Sequence, residues 1–315
     1  MNRKVLFINK AHPVLEQELT KLGFECELDE QSTNDQIESK IHNYFGIVIR
    51  SRIGVDRSLL DKAVNLSFVA REGVGTEHID LEYAAQKGIT VITSPEGSRD
   101  AVGEHALGML LSLMANLAKS DRQIRNGQWL REENRAYEIK GKTVGILGYG
   151  NMGRAFAQRL KGFEADVIAY DKYLDNYGDE HAEAVSLEKL FERSDILSLH
   201  IPYMPPNHHF VDGAFIQNFK KDIFIVNTAR GLVLETAALV DNMKSGKVLG
   251  AALDVLEYEE MSFEFLDLDS LPEPFQYLRN SDRVVLTPHI GGWSFESKKG
   301  HAEVLAEKIK ARFTE

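Results

Sequence analysis

Thr143-Val144-Gly145-Ile146-Leu147-Gly148-Tyr149-Gly150-Asn151-Met152-Gly153 is the stretch on which the reading of the whole chain turns. Its first five residues carry the short apolar run of a buried strand, and helical spacing follows over Met152–Lys161. Between them stands G-x-G-x-x-G at Gly148, Gly150 and Gly153. The hexapeptide alone is a weak signal; a strand before it and a helix after it give it meaning. The first glycine permits a tight turn, the second lets a pyrophosphate approach the backbone, and the third lets helix and strand pack closely. Asn151 and Met152 open the helix, whose unpaired N–H groups and dipole favour phosphate. The next strand, Asp166 to Asp171, ends in an acid placed to accept hydrogen bonds from an adenosine ribose and to repel a 2′-phosphate. NAD is therefore expected over NADP, a preference that the adjacent Lys172 tempers.

Outward from this turn, short apolar runs alternate with helical patterns along nearly the whole chain. Before it, strands are predicted over Lys4–Asn9, Phe45–Arg50, Leu66–Ala70 and Ile89–Thr93, with helices over Pro13–Leu22, Arg57–Val64 and Leu81–Lys87. A long apolar helix is predicted over Arg99–Ala118. The second series continues with strands at Asp195–Pro202, Asp222–Ala229, Gly250–Val255 and Arg283–His289. Its helices are Leu187–Arg193 and Glu235–Ser245, and a last amphipathic helix spans Ser294–Phe313. The alternation predicts an α/β fold of two doubly wound parallel-sheet domains, Rossmann-like or flavodoxin-like, with a cleft between them. The expected division is 1–96 plus 291–315 for a substrate-binding domain and 97–290 for a cofactor domain of six strands.

The bulk properties limit the alternatives. At 315 residues the chain exceeds one average domain. A net charge of −11, without a basic arm or stripe, argues against nucleic acid as a partner. No apolar run has the length that spans a bilayer, and the start Met1-Asn2-Arg3-Lys4 leads into a strand, not a signal peptide. One cysteine, Cys26, fits a reducing compartment, so a cytoplasmic location is expected. No metal is expected.

Three further stretches end strands with polar residues: Asn227-Thr228-Ala229-Arg230-Gly231, Asp254-Val255-Leu256-Glu257-Tyr258-Glu259 and Thr287-Pro288-His289-Ile290-Gly291-Gly292. Together with Gly148–Gly153, in this order, they make the chain resemble the D-isomer-specific 2-hydroxyacid dehydrogenases over nearly its full length. The resemblance implies catalytic roles for Arg230, Glu259 and His289. It also implies cofactor contacts at Val74, Gly148, Gly150, Asn151, Met152, Gly153, Asp171, Ile201, Thr228, Ala229, Arg230, Asp254, His289 and Gly291, and a homodimer formed through the cofactor domains. The chemistry is reasonable on its own terms. A guanidinium offers a two-pronged donor for a carboxylate. An imidazole exchanges protons near neutral pH. A carboxylate orients that imidazole and favours its charged form. Each residue alone has a plainer reading: His289 as a structural strand end, Arg230 as a surface cap, Glu259 as one of three solvated acids with Glu257 and Glu260.

Substrate contacts are expected at Arg50, Ser51, Arg71, Val74, Gly75, Arg131 and Arg230. Arg50, Arg71 and Arg131 resemble the basic residues that 3-phosphoglycerate dehydrogenases direct at the substrate phosphate, so 3-phosphoglycerate oxidation in serine biosynthesis is the leading expectation. Glyoxylate or hydroxypyruvate reduction is the alternative, and an NADH-sensing binding protein is a third. Two departures bear on the choice. Glu72 stands where small or apolar residues are usual, and Glu260–Asp282 is longer than the family norm and lacks the usual proline after the glutamate. Because the chain ends soon after its last helix, a short form without a C-terminal regulatory domain is expected.

Overall fold

The computed structural model describes residues 3–259 and 267–313, in two compact units: Met1–Ser98 with Trp293–Glu315, and Arg99–Gly292. These boundaries fall two residues beyond those expected from the sequence. The first unit carries five parallel strands, β1 (Lys4–Phe7), β2 (Glu25–Leu28), β3 (Gly46–Ile49), β4 (Phe68–Arg71) and β5 (Thr90–Thr93), in the order β2-β1-β3-β4-β5. Successive strand residues face opposite sides of a sheet. Leu6, Ile47 and Val69 accordingly pack on one face with Ile37, Leu59 and Ala84 from three short helices. Val5, Val48 and Phe68 pack on the other with Leu15, Leu19, Ala302, Leu305 and Ile309. Both faces are covered, which is why the inner strands read as unbroken apolar runs. The helix Phe295–Phe313 is thus part of the first unit's core. Lys308 Nζ fixes it further by donating to Thr93 O at 3.0 Å and Glu96 Oε2 at 2.8 Å.

The second unit carries seven parallel strands: β6 (Thr143–Leu147), β7 (Asp166–Tyr170), β8 (Glu183–Ala184), β9 (Ile196–Leu199), β10 (Ile223–Asn227), β11 (Val248–Leu253) and β12 (Val284–Leu286). Their order is β12-β11-β10-β9-β6-β7-β8. Strand order reverses between β6 and β9, and sheets of this kind bind ligands outside the carboxyl ends of the strands at that switch point. Six strands were expected; the seventh is the exposed two-residue β8. The long helix also differs from expectation. It stops at Met114, Asn116 turns left-handed with φ 54°, and Leu117–Arg125 begins a new helix. Ala106, Met109, Leu110, Leu113 and Met114 are core residues packed with Val144, Ile146 and Phe224. No single helix among the described residues is long and apolar enough to cross a membrane. Of the long segment Glu260–Asp282, residues 260–266 lie outside the described residues. The remainder includes a helix, Glu273–Asn280, anchored by buried Phe275 and Leu278.

Candidate active site

The glycine turn lies at the switch point. Gly148, at the end of β6, has φ +95°, and a Cβ there would sit 2.8 Å from the His200 carbonyl and from Ile201 Cγ2 at the end of β9. Only glycine takes this backbone without strain. A Cβ at Gly153 would lie 2.1 Å from Gly148 O, so the helix can rest on the turn only if that residue lacks a side chain. A Cβ at Gly150 would meet nothing within 4 Å: the backbone there is open to an approaching group. Gly150 caps the helix Asn151–Arg159 with no side-chain cap hydrogen bond among the described residues. Asp171 joins the two halves. Its Oδ2 accepts from Tyr149 N at 2.8 Å and its Oδ1 from Tyr173 N at 2.9 Å. Thr228 Oγ1, past the end of β10, is buried and has no hydrogen-bond partner among the described residues. An open glycine, uncapped N–H groups, a strand-end carboxylate and an orphaned hydroxyl fit a dinucleotide. One consequence is testable: Gly153→Ala should weaken NADH binding by tenfold or more and cost about 1–3 kcal/mol of stability from overpacking, measured by fluorescence titration and urea unfolding.

Three neighbouring strands bring the candidate catalytic residues to one end of this sheet. Arg230 follows β10, Glu259 follows β11 and His289 follows β12. Asn227 holds the first turn at both ends, accepting from Ala229 N at 3.0 Å and donating to Arg230 O at 3.2 Å. Arg230 Nη1 donates to Ala229 O at 2.7 Å. The next residue, Gly231, packs on the turn that leads to Glu259, since a Cβ on it would sit 1.9 Å from Leu256 O. Glu259 Oε1 accepts from Leu256 N at 2.5 Å, and its Oε2 lies 2.6 Å from His289 Nδ1. Glu257 is a tether: it meets His209 Nε2 at 2.9 Å and accepts from Thr236 N at 2.9 Å. Glu260 lies outside the described residues.

His289 occupies a left-handed backbone conformation, φ 55°, rarely adopted by residues other than glycine. Asp254 holds it there. Its carbonyl accepts from His289 N at 2.7 Å, and its carboxylate accepts from Thr287 Oγ1 at 2.6 Å, Ile290 N at 2.9 Å and Gly291 N at 2.8 Å. His105 Nε2, from the core helix, lies 3.2 Å from the same carboxylate. Burial pushes the Asp254 carboxyl up, yet His105, Thr287 and the two N–H groups outweigh it and hold it below the usual range. Sequence reasoning assigned Asp254 to cofactor contact and gave no role to Asn227, Thr287 or His105; the geometry makes them the frame of the turns that carry Arg230 and His289.

The expected substrate residues divide between the units. Arg131 is exposed on the second unit, just before a short turn at Glu132–Asn134. In the first unit Arg71 ends β4, while Ser51, Val74 and Gly75 belong to strand-end loops, with Val74 exposed. Arg71 folds onto its own loop, donating to Gly75 O at 2.9 Å and Glu72 O at 2.6 Å. Arg50 Nε donates to Glu72 Oε2 at 2.6 Å, so Glu72 faces this arginine.

Three histidines outside the candidate catalytic trio are shifted: His78 is lowered by burial and by Arg71, and His200 and His301 carry the large shifts. Burial pushes His200 down to about 3. Burial, then the charges of Arg71 and Arg50, push His301 down to about 4. Below the ordinary histidine value the unfolded chain binds protons that the folded one refuses, so stability falls as pH drops from about 6.5 toward 4. His200 and His301 should each remove about 2 kcal/mol between pH 6.5 and 5. Urea unfolding at both pH values checks this, and His301→Gln should flatten the slope.

A seven-stranded parallel sheet with a glycine turn at its switch point, and an arginine, a glutamate and a histidine past adjacent strand ends, is the architecture of the dinucleotide-binding α/β class. Residues 107–291 match the family described as "D-isomer specific 2-hydroxyacid dehydrogenase, NAD binding domain", and the chain belongs to that family. It is 33% identical over 299 residues to a hydroxypyruvate reductase of Thermotoga maritima, covering 94% of each chain. It is 32% identical over 304 residues to a D-3-phosphoglycerate dehydrogenase of Archaeoglobus fulgidus, covering 95% of this chain and 56% of that protein. The chain thus spans little more than half the length of that relative, and 57% of a second one from Methanocaldococcus jannaschii. Among solved structures, D-lactate dehydrogenase from Aquifex aeolicus, complexed with NAD and lactic acid, superposes with a TM-score of 0.83 at 26% identity, covering 98% of this chain and 94% of that one.

Proposed function

We propose that the protein interconverts a D-2-hydroxy acid and its 2-oxo acid with NAD. The observation that carries this reading is the 2.6 Å contact between His289 Nδ1 and Glu259 Oε2 beside the Arg230 turn. When bound against Gly150 and the helix N-terminus, NADH supplies hydride to the substrate's carbonyl carbon. Arg230 holds the substrate carboxylate. With Nδ1 committed to Glu259, proton exchange falls to His289 Nε2, which donates to the carbonyl oxygen as negative charge develops there. Glu259 stabilises the imidazolium before that transfer, and in the oxidative direction the same imidazole removes the proton.

Two substrate readings have specific support. An unphosphorylated acid such as hydroxypyruvate or glyoxylate is favoured by the pairing of Arg50 with Glu72. 3-Phosphoglycerate, and with it a place in serine biosynthesis, is favoured by Arg50 and Arg71, whose charges act on the same histidine. NADH oxidation with hydroxypyruvate, glyoxylate, pyruvate and 3-phosphohydroxypyruvate tests the proposal. Failure of every acid, with NADH still tightly bound, would favour a sensing role. The homodimer belongs to the same proposal. Because the core helix already buries much of its apolar face, that interface would have to draw on residues such as exposed Leu117, and sedimentation of the intact chain reports it.

A further inference from the structure

The first unit contains an acid that the chemistry above leaves unused. Glu72 follows β4, and its side chain is 2% exposed. One oxygen accepts from Arg50 Nε at 2.6 Å, while Oε1 is buried without a hydrogen-bond partner among the described residues. A buried carboxylate is tolerated only beside a compensating charge, and Arg50 is that charge. The same guanidinium lies over the Trp293 ring, 5.5 Å from its centroid, so its position is fixed from two sides. Arg71 spans the loop that follows, bonded to the carbonyls of Glu72 and Gly75. Both arginines act on His301, so the two charges share one neighbourhood. His301 and His78 add no positive charge at neutral pH: burial, then Arg71, lowers His78, and burial with both arginines lowers His301. Against the two guanidinium charges stand the Glu72 carboxylate, paired with Arg50, and the Glu77 carboxylate, whose charge acts on His78.

A phosphate ester carries close to two negative charges at neutral pH. Bringing it to Arg50 would set it beside a carboxylate that already lacks a donor for one oxygen, and like charges so placed are strongly rejected. A hydroxyl brings a donor and no charge. Resting on the function proposed above, we infer that Glu72 is a selectivity residue that commits Arg50 and restricts this subsite to 2-oxo acids ending in an uncharged hydroxyl, as in hydroxypyruvate, against their phosphate esters. It acts by negative selection, through the partner it rejects.

The test compares the wild-type protein with Glu72→Gln and Glu72→Ala. The glutamine keeps the side chain's shape and an acceptor for Arg50, so it guards against a folding defect in the alanine variant. kcat/KM is measured with hydroxypyruvate and with 3-phosphohydroxypyruvate, and thermal shift is measured with inorganic phosphate. The wild type should prefer hydroxypyruvate by at least about tenfold, and either variant should move the ratio toward the phosphate ester by about tenfold or more. Only the variants should be stabilised by phosphate. A wild type that prefers the ester, or a ratio unmoved in both variants, overturns the inference. If no 2-oxo acid is reduced, the proposed function fails separately, and the phosphate response decides about Glu72: gained in the variants it supports the role, absent from them it removes it.

Discussion

His289→Asn should lower kcat for 2-oxo acid reduction by roughly 10²–10⁴-fold, the range lost when a positioned general acid is removed, with the NADH dissociation constant essentially unchanged. Asparagine is among the residues that tolerate a left-handed backbone, so the turn at φ 55° survives and the main-chain bond to Asp254 O remains. What disappears is the imidazole that Glu259 holds at 2.6 Å. The candidate cofactor elements at Gly148–Gly153 and Asp171 follow β6 and β7, separate from the β12 turn, so a chiefly chemical defect is expected. Glu259→Gln should produce a smaller fall in kcat, because an amide still meets the ring but no longer stabilises its charged form. Steady-state kinetics with fluorescence titration of NADH separate the two effects. Full turnover in His289→Asn would remove the acid–base assignment.

How much of this was legible in the chain varies with the physics that fixes each part. The glycine turn could be read because each glycine answers a separate steric demand: a positive φ at Gly148, an open backbone at Gly150 and a contact at Gly153 that no Cβ survives. The inner strands could be read because both faces are buried. β2 escaped notice because it is an edge strand, with Glu25 and Glu27 on a mostly exposed ladder and no apolar run to mark it. The helix Asn34–Lys40 buries only Ile37, and its one clear sign was the capping box between Thr33 and Gln36. The break at Asn116 was hidden because apolar spacing runs on through Leu117 while a single left-handed residue redirects the chain. Long-range polar pairing was the least legible. Neither the Arg50–Glu72 pair nor the bond from the core helix at His105 to Asp254 follows from local spacing, since each joins residues on separate elements.

Asp254→Ala is the second large expectation, and it distinguishes a framing residue from a cofactor contact. The carboxylate is 2% exposed and receives donors from Thr287, Ile290 and Gly291. Removing it leaves three donors unmet, that of Gly291 buried and those of Thr287 and Ile290 partly buried; a buried donor left unmet costs about 1–3 kcal/mol, so a loss of roughly 2–4 kcal/mol is expected after partial relaxation. Turnover should fall by about 10²-fold, because a turn released from its anchor misplaces the imidazole, and small displacements from reacting geometry cost that much. The pH behaviour follows from the sign of the shift. The folded carboxyl is held below its ordinary value, so its stabilisation is complete above the unfolded carboxylate range and is lost as pH falls through the lower, folded value. The wild type should therefore lose this contribution on acidification, whereas Asp254→Ala lacks it at every pH. The two stability curves should converge toward low pH and separate toward neutrality. Urea unfolding from pH 3 to 7, with kcat and NADH affinity measured at neutral pH, reads all three effects. A variant that lost NADH affinity but kept both stability and kcat would instead make Asp254 a cofactor contact and leave the left-handed turn at His289 to be held by Thr287 and the glycines after it.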